Sequence, residues 1–259
     1  MAAKLPIERR KLFAGAAGAM GALLLGGCDR LSSSARVQNV LGKAEDVTRK
    51  LQRLVSTPRS LAREYTEADL SPWFKPNGTV DPDDDDYQAL AANNFADWRL
   101  RVDGLVRQPA SLSLAELRAL PARTQITRHD CVEGWSCIGK WKGALLGAVL
   151  QRVGPRPNAR YVVFHCADPM DSGDANSKYY ESIDLEEAFH PQTILAYEMN
   201  GQTLPIPHGA PVRLRVERQL GYKMAKYVMR IELVESYAAI GAGNGGYWED
   251  QGYAWYAGI

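Results

Sequence analysis

Cys131 stands in the stretch ITRHDCVEGWSCIGKW, residues 126–141, among His, Asp, Glu and two Trp. Such a thiol can be a buried packing group, half of a disulfide, a nucleophile or a soft ligand. A zinc site wants Cys or His in closely spaced pairs, and Cys131 and Cys137 are six apart with no second pair. A thiol hydrolase needs a histidine base; His129, His165, His190 and His208 exist, but no nucleophile signature surrounds the cysteine. A disulfide with Cys137 or Cys166 depends on geometry that sequence does not carry, and the expectation is that those two stay unpaired. A soft thiolate ligand to a redox metal is a further reading beside these. It suits the first thirty residues, which read as an export leader: paired Arg9 and Arg10, then Lys11-Leu12-Phe13, an apolar run and small residues. Paired arginines of this kind mark proteins exported already folded.

The segment Cys131-Val132-Glu133-Gly134-Trp135-Ser136, with Trp141 ten residues after the cysteine, resembles the molybdenum-ligand segment of the sulfite oxidase family of molybdopterin enzymes. It is most similar to the bacterial branch that includes periplasmic protein-methionine-sulfoxide reductases. HPQTILAYEMNGQTLPIPHGAPVRLRV and LGYKMAKYVMRIELVE continue the likeness in order and spacing, over about residues 90–236. The resemblance implies molybdenum held by a pterin dithiolene and by Cys131, with the pterin in its mononucleotide-free form. It places Arg213 and Lys226, with Met224 and Ala225 beside them, on the cofactor's polar end. His208 stands where the branch has Asn, and Cys166 where it has Thr. Asn93 opens a segment in which Ala96 and Asp97 replace Tyr and Glu. For catalysis the resemblance directs attention to Arg128 and His129, only one of which can face the metal on a strand, and to Tyr180, with Tyr179 beside it. The stretch after Cys131 has no arginine, which disfavours sulfite as substrate.

The elements that must position these groups are short. Ser113 and Glu116 form a capping box before a short helix, and KGALLGAVLQRVG reads as an apolar helix ended by Gly154 and Pro155. WRLRVDGLV, TQITRHD, RYVVFHC, APVRLRV and AKYVMRIELVES read as strands, and Asn200-Gly201 as a two-residue hairpin turn. Strands outnumber helices without strict alternation, so the expected class is α+β with a mixed sheet, the sulfite oxidase molybdopterin-binding fold. Only residues 235–259 follow Val234, too few for the immunoglobulin-like domain of larger members.

The expected organisation is a leader over 1–28, then a tether, a helix with its apolar stripe at 37–54 and the acidic loop NGTVDPDDDD over 29–90, then an oxidoreductase domain over 91–259. Leu25-Gly26-Gly27-Cys28 resembles a lipobox, so a lipid on Cys28 would be the only membrane attachment of a periplasmic protein. Thirty-one basic and thirty acidic residues balance to +1, which argues against a nucleic-acid partner. The chain has no haem or iron–sulfur cysteine motif, so electrons would pass to or from a separate cytochrome or membrane haem protein. Oxygen-atom transfer on a small or S-oxide substrate by a monomer is the function expected; a cofactor-free lipoprotein of the same fold and a thiol hydrolase are its rivals.

Overall fold

The computed structural model describes residues 47–53, 57, 60–171, 174 and 177–259. The leader, the lipobox-like end, the tether and the first part of the expected 37–54 helix lie outside them; residues 47–53 are helical. By compactness the chain divides into Met1–Gln52 and Arg53–Ile259.

The described residues of the second unit form two five-stranded sheets. One runs in the order β2 (Ala110–Ser113), β1 (Arg99–Gly104), β10 (Val228–Val234), β5 (Tyr161–Pro169), β6 (Lys178–Asp184). Here β1 and β10 are parallel and every other pair is antiparallel. The other runs β3 (Ala122–Asp130), β4 (Ser136–Leu145), β7 (Ile194–Met199), β8 (Gln202–Thr203), with β9 (Arg213–Arg215) also on β7. The helices are short: α1 (Asp85–Ala92), α2 (Leu114–Arg118), α3 (Leu146–Val153), α4 (Leu185–Ala188) and α5 (Tyr247–Asp250). This is the α+β class with a mixed sheet.

The core joins both sheets: Leu100, Val162, Phe164, Ile231 and Leu233 from the first cluster with Leu195 and Leu214 from the second. On α3, Leu146, Val149, Leu150 and Val153 are buried, the spacing of one helical face. That helix is shorter than expected. Lys142–Leu145 belong to β4, because Ala144 pairs with both Ala122 and Leu195 and their backbone groups are satisfied in the sheet. The Asn200-Gly201 turn has φ of 51° and 79°, the left-handed pair a two-residue hairpin requires.

The four aspartates do not all stay in a loop. Asp84 caps α1 by accepting from the Tyr87 amide at 2.9 Å, and Asp85 and Asp86 fill its first turn, where the helix dipole favours negative charge. The stretch before α1 is held to the second sheet. Tyr65 N donates to Ile126 O and Ser71 N to Ile138 O, so it runs against β3 and β4. No helix among the described residues is long and apolar enough to cross a membrane.

Candidate active site

Cys131 opens the five-residue connection between β3 and β4, which are paired up to Asp130 and Ser136. Its backbone N–H donates to Trp135 O, the Gly134 N–H donates to Cys131 O, and Gly134 turns the chain at φ 83°. The thiol is half-buried and lines a cleft of about 160 Å³. Burial pushes its pKa up, while the backbone N–H groups of Glu133 and Val132 pull it down. The loop thus offers a sulfur to the cleft with backbone donors ready for a thiolate.

At the other side of the cleft lie Asp168, Met224 and Lys226, and its walls include Tyr179, Trp248 and Tyr253. Behind Lys226 sits Arg213, fully buried. Arg213 donates only to carbonyls, His208 O at 3.1 Å and Met224 O at 3.4 Å, and its Nε has no partner. Lys226 Nζ also donates to carbonyls, those of Thr79 and Pro207. No carboxylate lies within ion-pair distance of either cation among the described residues. Burial and then Arg213 lower the Lys226 pKa and burial raises that of Asp168, each charge partly offsetting the shift of the other. His208 has an unpartnered buried Nδ1, and burial followed by the charges of Arg213 and Lys226 lowers it to about 4, so it stays neutral. Gly209 permits the assembly: at φ +106°, a Cβ there would lie 2.9 Å from Lys226 Cβ and 3.1 Å from Arg213 Cβ.

Arg215, two residues on, is different. It is paired bidentately with Glu217 at 2.9 and 2.6 Å and lies 4.4 Å from the Trp141 ring, over which Arg213 also lies at 5.1 Å. Trp141 is a platform for two guanidinium groups. One of the two is neutralised, and Arg213 is not.

The structure brings together Cys131, Met224 and Lys226 in one cleft, with Arg213, Ala225, His208 and Cys166 packed behind. Others it separates. Arg128 points to the opposite face of β3, half-exposed and paired with Asp130, so the expectation that it stands near the metal is not met. His129 points inward: its Nδ1 accepts from Arg215 Nη1 at 3.0 Å, and its ring lies under Gly221 of the cleft lining. Asn93, Ala96 and Asp97 lie at the exposed end of α1, where Asn93 Nδ2 donates to Asp97 Oδ2 at 2.7 Å, and none lines the cleft. Tyr180 donates to Asp250 away from the cleft, and its neighbour Tyr179 faces in. Adjacent strand residues face opposite sides, so two consecutive tyrosines carry no signal of which one serves. Asp168 and the Asn77–Thr79 turn were not readable as cleft residues, since neither sits in a periodic pattern. Cys131, Cys137 and Cys166 are all free thiols.

A soft sulfur and buried cations with no ion-paired carboxylate, in and behind one cleft, fit a group with a thiophilic metal and an anionic tail. Residues 87–239 match the oxidoreductase molybdopterin binding domain, and the chain belongs to that family of enzymes. A protein of Azospira oryzae provisionally named protein-methionine-sulfoxide reductase subunit YedZ1 is 40% identical over 92% of this chain and 83% of its own length. The protein-methionine-sulfoxide reductase catalytic subunit MsrP of Xanthomonas campestris pv. campestris is 39% identical over 58% of this chain. The chain spans 49% of the length of that relative. Among solved structures, the sulfane dehydrogenase SoxCD from Paracoccus pantotrophus is 23% identical with a TM-score of 0.49, over 54% of this chain and 39% of that one.

Proposed function

We propose that this oxidoreductase reduces S-oxides of the methionine sulfoxide type, with Cys131 as the protein ligand to molybdenum. The observation that carries the reading is the pair of buried cations with no ion-paired carboxylate, Arg213 and Lys226, of which Lys226 lines the same cleft as Cys131. Two cations suit the double charge of a single phosphate, which favours a pterin without an attached nucleotide. His208 would add a neutral hydrogen bond, and the carbonyl contacts of Lys226 would yield to the anion. When bound, the molybdenum pterin supplies two-electron oxygen-atom exchange.

The chain's own residues would do the rest. Val132, Met170, Trp248 and Tyr253 give the cleft apolar walls, which accept a thioether and exclude water. Tyr179 brings a hydroxyl to the same space. The names of the Azospira and Xanthomonas relatives favour a methionine sulfoxide carried by a protein over a free small molecule. Electrons would come from a separate haem protein. Export by the twin-arginine-type leader, a periplasmic site and a lipid on Cys28 complete the proposal.

The test is turnover by purified protein with a reduced dye as electron donor. Reduction of methionine sulfoxide in an oxidised protein, without sulfite oxidation when an acceptor dye is offered, is the expected result. Sulfite oxidation with no S-oxide turnover would overturn it.

A further inference from the structure

Next to the cleft, and apart from the cation cradle, lies a second set of buried charges. Lys223 Nζ donates to Glu181 Oε1 and to Glu249 Oε1, both at 2.5 Å, with all three side chains no more than 1% exposed. The two carboxyls share that one ammonium, and the Ser182 N–H also donates to Glu181 Oε1 at 2.7 Å. Glu249 Oε2 is buried without a partner. One ammonium facing two buried carboxylates leaves a net negative charge in an apolar setting, which uptake of one proton would relieve.

Glu181 and Tyr179 are two residues apart on β6 and share a face. Tyr179 Oη lies 3.5 Å from Glu181 Oε2 and donates to Tyr222 O at 2.5 Å. Tyr179 and Tyr222 both line the cleft. The hydroxyl therefore links the carboxyl pair to the cleft. Burial holds the Glu181 pKa well up against the pull of Lys223, with the Glu249 charge adding to the rise. For Lys223, burial opposes the charge but the two carboxylates outweigh it, so its pKa is raised. Two other titratable groups are in range: the Cys166 thiol, kept neutral by burial, and the cleft-lining Asp168 carboxyl, which burial pushes up to about 7.

We infer that Glu181, Glu249 and Lys223 form a proton store that serves the cleft through Tyr179. The inference rests on the proposed S-oxide reduction. In that reaction the S=O bond breaks, two electrons come from the metal-pterin centre refilled by a haem protein, and two protons join the oxygen, which leaves as water. Tyr179 gives one of these protons from its hydroxyl and takes its replacement from Glu181; the other comes from cleft water. The store then regains its proton from solvent. Tyr179 meets the substrate, and Glu181 acts through it as a positioning and proton-holding residue.

The experiment compares the molybdenum-loaded wild type with Glu181→Gln, Glu249→Gln and Tyr179→Phe. Either amide still accepts from Lys223 but leaves one carboxylate to one ammonium, which removes the shared proton. Infrared spectroscopy at pH 7 is expected to show, beyond the band Asp168 contributes to every variant, a protonated buried carboxyl in the wild type and in Tyr179→Phe that is missing from either Gln variant. All three variants are expected to lose about 10- to 100-fold in kcat with unchanged KM, unchanged molybdenum content and unchanged melting temperature. The alkaline limb of the wild-type rate profile is expected to vanish in both Gln variants. Absence of the carboxyl band from the wild type, or Gln variants with wild-type kcat and pH profile, would overturn the inference. A wild type that shows the band but turns over no S-oxide defeats the proposed function instead, and the store is then judged on the band alone.

Discussion

Arg213 is the side chain on which the anion cradle turns. A buried guanidinium without a carboxylate is costly unless something negative joins it, and the carbonyls of His208 and Met224 only partly satisfy it. The cost is tolerable in a protein that receives its anion before it works. Arg213→Ala is therefore expected to raise the stability of the cofactor-free chain or leave it unchanged, while the purified protein carries little pterin; loss of stability with full pterin content would count against the cradle. Gly209→Ala is the backbone counterpart, because a Cβ at φ +106° strains the chain and pushes into Lys226 and Arg213. It is expected to reduce pterin content without removing any donor, as measured by fluorescence of the oxidised pterin released on denaturation.

At the scale of elements, close strand packing explains why some positions admit one residue only. A Cβ on Gly143 of β4 would lie 2.3 Å from Leu195 O and 2.6 Å from Ala196 Cα of β7. Gly143→Ala should separate the two central strands and cost at least about 2 kcal/mol in urea unfolding. His190, after α4, is held neutral by its neighbours: the Gln192 N–H donates to Nδ1 at 3.2 Å, so Nε2 donates to Ser60 O at 3.1 Å. Burial, then the Arg218 charge, lowers its pKa to about 4 from the usual 6.5. Protonation thus favours the unfolded chain, and the stability this histidine confers is present above pH 6.5 and lost as pH falls toward 4. His190→Gln should lose less melting temperature than the wild type between pH 7 and 4.5. Much of this layer was legible: the Ser113-Glu116 capping box, the Asn200-Gly201 turn and the alternation of β1 and β10 are local signals. The start of α3 was not, because apolar Ala144 and Leu145 suit a buried strand as well as a helix and only pairing with β3 and β7 decides.

For the molecule as a whole, the site depends on parts remote in sequence. Cys131, Lys226 and Arg213 were readable from the family likeness of the motifs that hold them. Glu181, Lys223 and Glu249 were not, since a buried charge reads like any surface charge until its partners are placed. The same triad fastens the C-terminal aromatic segment: Glu249 sits in α5, and the Trp255 ring lies 5.3 Å from Lys223 Nζ. Lys223→Met would leave two buried carboxyls without their shared cation and is expected to cost about 3–5 kcal/mol. Faster proteolysis within residues 236–259 would accompany it. The central claim, a molybdenum pterin held by the Cys131 thiolate, is tested most directly by metal analysis of wild type beside Cys131→Ser, both produced in cells that make the cofactor. The prediction is about one molybdenum per wild-type chain, and in the variant either loss of the metal or a changed metal spectrum with no turnover. A wild type without molybdenum, or a serine variant with unchanged metal, spectrum and activity, would contradict it.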